Sequence, residues 1–171
     1  MQRIAEFEKV SFAQFEKDFI KNFGESYDIK AIYEAIRLPL RATTGSAGYD
    51  FFAPVDLKLE KNQTLLIPTG IRVRIDEGWV LNIFPRSGLG FKHRIQLDNT
   101  VGIIDSDYYI AENEGHIMIK ISCDAYDDCH KVEIAQGSGF AQGIFMPFGI
   151  TIDDNATEIR KGGMGSTTKK K

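Results

Sequence analysis

Three short clusters of small and polar residues contain glycine, so the backbone of each can come close to a ligand. They are SAGYD (46–50), PRSGLG (85–90) and KGGMGSTT (161–168). In PRSGLG, the Arg86 side chain can pair with phosphate oxygens, the Ser87 hydroxyl can donate beside it, and Gly88 leaves its N–H unshielded. This combination predicts an anion site, with a β-turn as the alternative for the cluster taken alone. KGGMGSTT lacks the spacing of a Walker loop, so a flexible linker is its alternative.

A fourth cluster, NTVGIIDSDYY (99–109), places two carboxylates and two tyrosines after an apolar strand. Asp105 directly follows Ile103 and Ile104, so a strand end would hold its carboxylate in a fixed position. A carboxylate held in that way can orient a water molecule and remove its proton. A turn aspartate that caps its own backbone is the alternative.

The histidines and cysteines show no spacing typical of a metal site or a catalytic triad. We interpret His93, His116 and His130 as surface or strand-end residues. Cys123 and Cys129 have no second Cys/His pair at zinc spacing, and two cysteines make no disulfide framework for a secreted domain of this size. A reduced, cytoplasmic location is therefore expected.

The composition predicts one globular domain. The chain has 171 residues, of which 43% are hydrophobic and 26% charged. The net charge of -3 argues against a nucleic-acid partner or an anionic membrane surface. No stretch approaches the roughly 18 apolar residues of a membrane span, so no membrane contact is expected. An anionic substrate would need a metal ion or a local basic patch to offset its charge.

Residues 1–38 are predicted to form two helices that pack through an aromatic stripe. The apolar residues that recur near the 3.6-residue period of the first helix are Phe12, Phe15, Phe19, Ile20 and Phe23. Ser11 and Gln14 form an S-x-x-Q capping box at its start, and Gly24 can end it. Pro39 stops the second helix.

Beyond about residue 40, short segments rich in Ile, Val, Leu and Phe are separated by Gly, Pro, Asn and Asp, which is typical of β-structure. The predicted strands include 64–67, 71–75, 79–84, 116–121, 131–135 and 143–150. Helical patterns do not alternate with them, so a sandwich or jelly roll is favoured over a parallel sheet. We therefore predict a mainly β chain in three parts: a helical extension (1–38), a β domain (39–154) and a flexible C-terminal lid (155–171).

Five motifs in chain order resemble those of the trimeric dUTP diphosphatases (dUTPases). They are SAGYDF, PRSGLG, NTVGIIDSDY, FAQGIF and GGMGST, within residues 40–168. The resemblance implies a distorted β jelly roll, a homotrimer whose active sites are shared between subunits, and Mg²⁺ as the cofactor. The implied reaction is hydrolysis of dUTP to dUMP and pyrophosphate.

The resemblance assigns residues to the phosphate end of the site. Asp105 matches the carboxylate that activates water for attack at the α-phosphorus. Asp50 matches the acidic residue that holds Mg²⁺ through its bound waters. The implied phosphate-binding residues are Arg86, Ser87, Gly88 and Gln142.

At the nucleoside end, Asn99 matches the residue that opens the uracil-reading hairpin, and Ile104 in the same motif is assigned to substrate binding. Tyr108 matches the ring that lies under deoxyribose and leaves no room for a 2′-hydroxyl. The C-terminal lid implied over the γ-phosphate comprises Arg160, Met164, Gly165, Ser166 and Thr167.

The chain departs from the common dUTPase pattern in several places. Met164 stands where an aromatic ring usually stacks on uracil, and Gly139 stands where a basic residue is common. The third motif continues into the longer acidic stretch YYIAENEGHI (108–117). Together with the N-terminal helices, these features indicate a bacterial or phage-type variant.

Two other functions are weighed against dUTP hydrolysis. A dCTP deaminase resembles dUTPases in the second and third motifs but needs a glutamate on the strand after the hairpin, where this chain has HIMIKIS (116–122). A regulatory protein that keeps the nucleotide site is supported by the helical extension alone. The set of Asp105, Arg86, Ser87 and Gln142 favours catalysis.

Overall fold

The computed structural model of the chain describes residues 2–124, 131–158, 160 and 162, in which every strand pair is antiparallel. The strands are β1 (Ala5–Lys9), β2 (Leu40–Arg41), β3 (Tyr49–Phe52), β4 (Leu57–Glu60), β5 (Thr64–Pro68), β6 (Ile71–Ile75), β7 (Trp79–Pro85), β8 (Ile95–Leu97), β9 (Gly102–Ile104), β10 (Met118–Cys123), β11 (Lys131–Ile134) and β12 (Gly139–Pro147). The helices are α1 (Phe12–Phe23), α2 (Ile29–Ala35) and α3 (Ser87–His93), with a 3-10 helix at Ser106–Ile110.

The largest sheet contains five strands in the order β2-β3-β12-β7-β9. A three-stranded sheet has the order β5-β10-β8, β4 pairs with β11, and β1 pairs with β6. Side chains alternate between core and solvent along these strands, as in β4, where Leu57 and Leu59 are buried and Lys58 and Glu60 are exposed. The jelly-roll-like, mainly β fold confirms the predicted fold class.

Helix α1 packs into the same core as the sheets. Phe15 and Phe19 are fully buried there, and α1 lies against β5. The Gln14 N–H donates to the Ser11 hydroxyl at 3.2 Å, as the capping motif predicts. The second bond of the capping box is replaced, because the Ser11 N–H donates to a carboxylate oxygen of Glu114 at 2.7 Å. An ionised carboxylate is a stronger acceptor than the Gln14 amide oxygen.

The structure differs from the helical prediction at Ala5–Lys9, which form strand β1. All five residues of β1 pair with β6. Glu6 and Glu8 form ion pairs with Arg74 and Arg72, which lie directly opposite them. The five-residue alternation of AEFEK gives a weak local signal, and the pairing depends on a strand more than 60 residues away.

The chain after β12 has no regular secondary structure up to residue 158. Phe148, Ile150 and Ile152 are exposed there. Residue 159, residue 161 and residues 163–171 of the predicted lid lie outside the described residues, and the boundaries at 38 and 154 stay predictions. Within the described part of the chain, no helix is long and apolar enough to cross a membrane.

Candidate active site

The predicted phosphate-binding residues meet at one end of the five-stranded sheet. A polar pocket of about 230 Å³ is lined by Asp50, Arg86, Ser87, Gly88 and Gln142, among others. The sheet register explains the meeting, because Gln142 on β12 lies opposite Asp50 on β3. Arg86 and Ser87 come directly after β7, the strand on the other side of β12.

Arg86 is held in this pocket by two contacts. Its Nε lies 3.2 Å from Asp50 Oδ1, and its Nη1 donates to the carbonyl oxygen of Gly139 at 3.1 Å. A Cβ atom at position 139 would lie 2.7 Å from Arg86 Nη1. The absence of a side chain at Gly139 therefore gives the guanidinium the room to occupy this position.

Gln142 is held in a similar way. Its amide Nε2 donates to the carbonyl oxygen of Pro85 at 3.1 Å. A Cβ atom at Gly48 would lie 2.6 Å from Gln142 Oε1, so glycine leaves the space for this amide. The pocket thus contains one guanidinium, one carboxylate and one amide, with the exposed Ser87 hydroxyl at its rim.

A second group of predicted residues surrounds Asp105, which links β9 to the 3-10 helix. Arg160 bridges two carboxylates, with Nη2 at 2.6 Å from Asp105 Oδ2 and Nε at 2.9 Å from Asp107 Oδ1. The Arg160 side chain is 13% exposed, whereas both carboxylates are about half exposed. The motif resemblance assigns Arg160 to the phosphates, and its contact with Asp105 and Asp107 is a finding of the structure.

Tyr108 belongs to the same group but is only 2% exposed. Its hydroxyl donates to the main-chain carbonyl of His116 at 2.8 Å and accepts from the Asn113 side-chain amide at 2.8 Å. Burial raises the pKa of Tyr108, so the hydroxyl keeps its proton at neutral pH. The Arg160 guanidinium lies 5.6 Å from the centre of the Tyr108 ring. The role of this ring against deoxyribose stays a prediction.

The segment predicted to be the uracil-reading hairpin connects β8 to β9, but these strands pair with β10 and β7 and not with each other, so the prediction of a hairpin is wrong and the segment is a turn between two sheets. Asn99 and Ile104 both line a cavity of about 250 Å³, together with residues of β10. Ile104 is buried, and Asn99 is exposed in the turn. Their contacts with a base stay a prediction, and Met164, Gly165, Ser166 and Thr167 lie outside the described residues.

The pocket around Arg86 and the group around Asp105 lie apart within one chain. Ile104 pairs with Leu81 near the start of β7, whereas Arg86 follows the other end of that strand. Asp105 follows Ile104, so it lies opposite the residue that precedes Leu81. From that residue to Arg86 the extended strand runs six residue steps, which is roughly 20 Å. A single chain therefore does not bring Asp105 and Arg86 to one reacting phosphate.

The dUTPase family model matches residues 34–168. The chain belongs to the dUTPase family. It is 38% identical over 135 residues to the deoxyuridine 5′-triphosphate nucleotidohydrolase of Lactococcus lactis, with 77% of this chain and 88% of that protein covered. The protein of the same name from Haemophilus ducreyi is 43% identical over 140 residues, with 77% and 87% covered. These matches confirm the family predicted from the motifs.

Solved structures of dUTPases share the fold. The crystal structure of the Streptococcus mutans dUTPase superposes with a TM-score of 0.63 at 30% identity, covering 86% of this chain and 98% of that one. A mutant dUTPase from phage phi11 of S. aureus, solved with the coordination of a structural Mg(II) ion, has a TM-score of 0.64 at 20% identity and covers 91% and 98%. At that identity the second likeness concerns the fold alone.

In this dUTPase family member, His116 makes buried polar contacts that its place in the sequence does not predict. His116 is fully buried, so its interpretation as a surface residue is wrong, although it does lie just before strand β10. Its Nδ1 lies 2.6 Å from Asp18 Oδ2 on α1, and its Nε2 accepts the Gly70 N–H at 2.8 Å. Because Nε2 accepts the Gly70 N–H, Nδ1 is the ring nitrogen that donates to Asp18.

Asp18 is the charged partner of this buried ring. Burial alone would raise its pKa, but hydrogen bonds from His116 and Gln14 outweigh burial and hold the pKa below its ordinary value. The signal in the sequence is the position of Asp18, three residues after Phe15 on the apolar side of α1. A charge at such a position needs a buried partner.

Proposed function

We propose that the chain hydrolyses dUTP to dUMP and pyrophosphate, with Asp105 as the group that activates the attacking water. The single observation that carries the reaction is the identity of about 40% to nucleotidohydrolases named for dUTP, over most of both chains. The polar pocket around Arg86 supports the same function, because it offers a triphosphate a guanidinium, a hydroxyl and an amide.

The acidic chain needs this local pocket to hold a strongly negative substrate. Arg86 and Gln142 donate to phosphate oxygens, with Ser87 and the Gly88 N–H beside them. Donors fixed in place stabilise the charge that develops on the phosphates during the reaction. Arg86 is fixed by Asp50 and by the Gly139 carbonyl, so its guanidinium is oriented before substrate binds.

The donor set of the pocket fits a Mg²⁺ ion that is held mainly by the substrate. No group of three or more His, Cys, Asp or Glu side chains suited to a metal occurs among the described residues. Proteins often hold Mg²⁺ with one or two carboxylates and substrate phosphates, and Asp50, which also pairs with Arg86 through Oδ1, is the carboxylate that lines this pocket. When bound, Mg²⁺ would supply positive charge that offsets the negative charge of the phosphates.

Asp105 acts as the general base. Its carboxylate accepts a proton from water as the water oxygen bonds to the α-phosphorus, and the bond from this phosphorus to the bridging oxygen of pyrophosphate breaks. Arg160 keeps the neighbouring carboxylates of Asp105 and Asp107 together, since two unpaired negative charges would repel each other. The Tyr108 ring is nearly fully buried in the single chain, so the sugar contact implied by the motif requires the groups over the ring, Arg160 among them, to move when substrate binds.

We expect a homotrimer, because a complete site needs Asp105 from one chain and Arg86 from another. The separation of roughly 20 Å along β7 supports this arrangement. The exposed apolar side chains of Phe148, Ile150 and Ile152 supply surface for a subunit contact. The cytoplasmic location expected from the cysteine count stays a prediction.

The reaction is tested by measuring pyrophosphate release from dUTP, dCTP, dTTP and UTP, each with and without Mg²⁺. We expect Mg²⁺-dependent release from dUTP and little from the others. Asp105→Asn should lower kcat about 10²- to 10⁴-fold with little change in dUTP affinity, because the amide keeps the shape but does not accept the proton. Ammonia release from dCTP would instead identify a deaminase, and full turnover by Asp105→Asn would remove Asp105 from the mechanism.

The shared site is tested by refolding the impaired variants Asp105→Asn and Arg86→Ala together and assaying them at a dUTP concentration well below the KM of Arg86→Ala. In a random mixture, about one site in four combines an intact Asp105 with an intact Arg86 from different chains, so about a quarter of the activity should return. Each variant refolded alone is the control. A mixture that stays inactive while forming trimers would show that both residues serve the same chain's site.

A further inference from the structure

Two features outside the common dUTPase pattern dock on each other. One is the N-terminal segment, residues 5–23, which comprises β1 and α1. The other is the 108–117 loop, which begins at Tyr108 and continues to β10. We propose that the N-terminal segment is a positioning element that fixes Tyr108 in the active site, and that Asp18 is the main positioning residue. The proposal rests on the proposed function of Tyr108 in sugar recognition.

A series of hydrogen bonds connects Asp18 through His116 to Tyr108. Asp18 accepts from Nδ1 of the His116 ring, and the Gly70 N–H donates to Nε2 on the other side. With both ring nitrogens bonded, the position of His116 is fixed. Its main-chain carbonyl accepts the Tyr108 hydroxyl, so the position of His116 determines that of the phenol ring.

Because His116 is buried, this series of hydrogen bonds is sensitive to loss of the Asp18 carboxylate. The His116 side chain is 0% exposed, so water cannot replace Asp18 as the acceptor without a local opening. Removal of the carboxylate would leave a buried ring N–H without a partner, which a folded protein avoids by moving the group. Movement of His116 would displace the carbonyl that holds Tyr108.

Two further contacts tie the segment to the same loop. The Ser11 hydroxyl and N–H donate to the two carboxylate oxygens of Glu114 at 2.6 and 2.7 Å. The Tyr109 hydroxyl donates to Glu8 at 3.0 Å. Glu114 has a φ of +57°, a conformation that an ordinary side chain adopts only when contacts hold it. The N-terminal segment therefore contacts the loop at Tyr109, Glu114 and His116.

The test compares Asp18→Ala with Asp18→Asn, and uses Phe19→Leu as the matched control. Phe19 is fully buried on the same helix and has no ring contact with His116, so its truncation destabilises α1 without removing the polar contacts. The asparagine oxygen can still accept from the His116 ring, so Asp18→Asn is the conservative rescue. The readouts are kcat/KM for dUTP and for UTP, and the thermal midpoint.

We expect Asp18→Ala to lower the preference for dUTP over UTP by about tenfold, because a displaced Tyr108 no longer excludes the 2′-hydroxyl. Asp18→Asn should keep most of the preference. Phe19→Leu should lower the thermal midpoint and leave the preference unchanged. If Asp18→Ala shifts the preference less than twofold, or no more than Phe19→Leu does at a similar loss of midpoint, the positioning role is overturned.

NMR of the tyrosine ring signals tests the positioning of Tyr108 independently of whether the protein hydrolyses dUTP. The Tyr108 signal is assigned with Tyr108→Phe. A Tyr108 signal that moves in Asp18→Ala and not in Phe19→Leu supports positioning, even if the wild type proves inactive on dUTP. A wild type that is active on dUTP, with neither the signal nor the preference changed in Asp18→Ala, refutes positioning and leaves the proposed function standing.

Discussion

Gly115 is the position at which a single methyl group should disturb the 108–117 loop most. Its φ is +69°, in the left-handed region, and a Cβ atom there would lie 2.7 Å from the Tyr108 carbonyl oxygen and 2.8 Å from the Tyr109 Cα. Both atoms belong to the backbone, so the contact cannot be relieved by rotating a side chain. Gly115→Ala therefore combines an unfavourable backbone conformation with a steric clash.

The expected size follows from these two contributions. A left-handed conformation costs an alanine about 1–2 kcal/mol, and overpacking a well-filled site costs about 1–3 kcal/mol. A total of roughly 3 kcal/mol in the free energy of unfolding corresponds to a fall of about 6–12 °C in thermal midpoint for a chain of this size. Gly78→Ala is the matched control, because Gly78 has a φ of +80° and no atom within 4 Å of its Cβ position.

Thermal unfolding followed by circular dichroism at one subunit concentration measures both variants, with urea midpoints as a second measurement. Gly78→Ala should lose about 1–2 kcal/mol, since it has the conformational contribution alone. The difference between the variants then isolates the clash with the Tyr108 and Tyr109 backbone. If the two variants lose the same free energy within about 0.5 kcal/mol, the packing of the loop against Gly115 is refuted.

Three further predictions concern the site and its support. Arg86→Ala should raise the KM for dUTP about 10- to 100-fold in steady-state kinetics, yet leave the thermal midpoint nearly unchanged, because the Arg86 side chain is 42% exposed and an ion pair open to water contributes little to stability; a large loss of midpoint would contradict this. Tyr108→Phe should lower the free energy of unfolding by about 1 kcal/mol and weaken the preference for dUTP over UTP, since the ring loses its bond to the His116 carbonyl; an unchanged preference in parallel assays would count against that bond. Hydrogen bonds from the Ser11 side chain and backbone lower the pKa of Glu114. The free energy of unfolding of the wild type should therefore exceed that of Glu114→Gln by its full amount at pH 7, and this difference should disappear as the pH falls below about 4. Urea unfolding of both proteins across that pH range measures the difference. A difference that grows on acidification would reverse the sign of the argument.

Much of the fold could be predicted from the sequence because the signals are local. The alternation of Ile71, Val73 and Ile75 with two arginines predicts a strand, and β6 has the predicted bounds. The aromatic period and the Ser11 cap likewise predict helix α1. Each pattern is local, because the spacing of apolar residues along a strand or a helix determines whether they lie on one face.

The chemistry of the motifs likewise follows from residue types and their order. Arg86, Ser87 and Gly88 are predicted to bind an anion from three consecutive residue types, and Asp105 stands at a strand end. The residue types define what these groups can do, and the order of the motifs identifies the family. Residue types and motif order do not give the distance between Arg86 and Asp105, because that distance depends on which strands are neighbours.

The tertiary structure alone decided which distant residues meet. The pairing of β9 with β7 places Asp105 beside the start of β7, whereas Arg86 follows the end of that strand. The docking of α1 joins Asp18 to His116 and Ser11 to Glu114, pairs that lie 98 and 103 residues apart in the chain. Hydrogen bonds over such separations form only after strands and helices have packed, since local conformation does not determine their partners. The sequence therefore determined the chemical groups of the predicted site, and the packing determined which of them one chain can bring together.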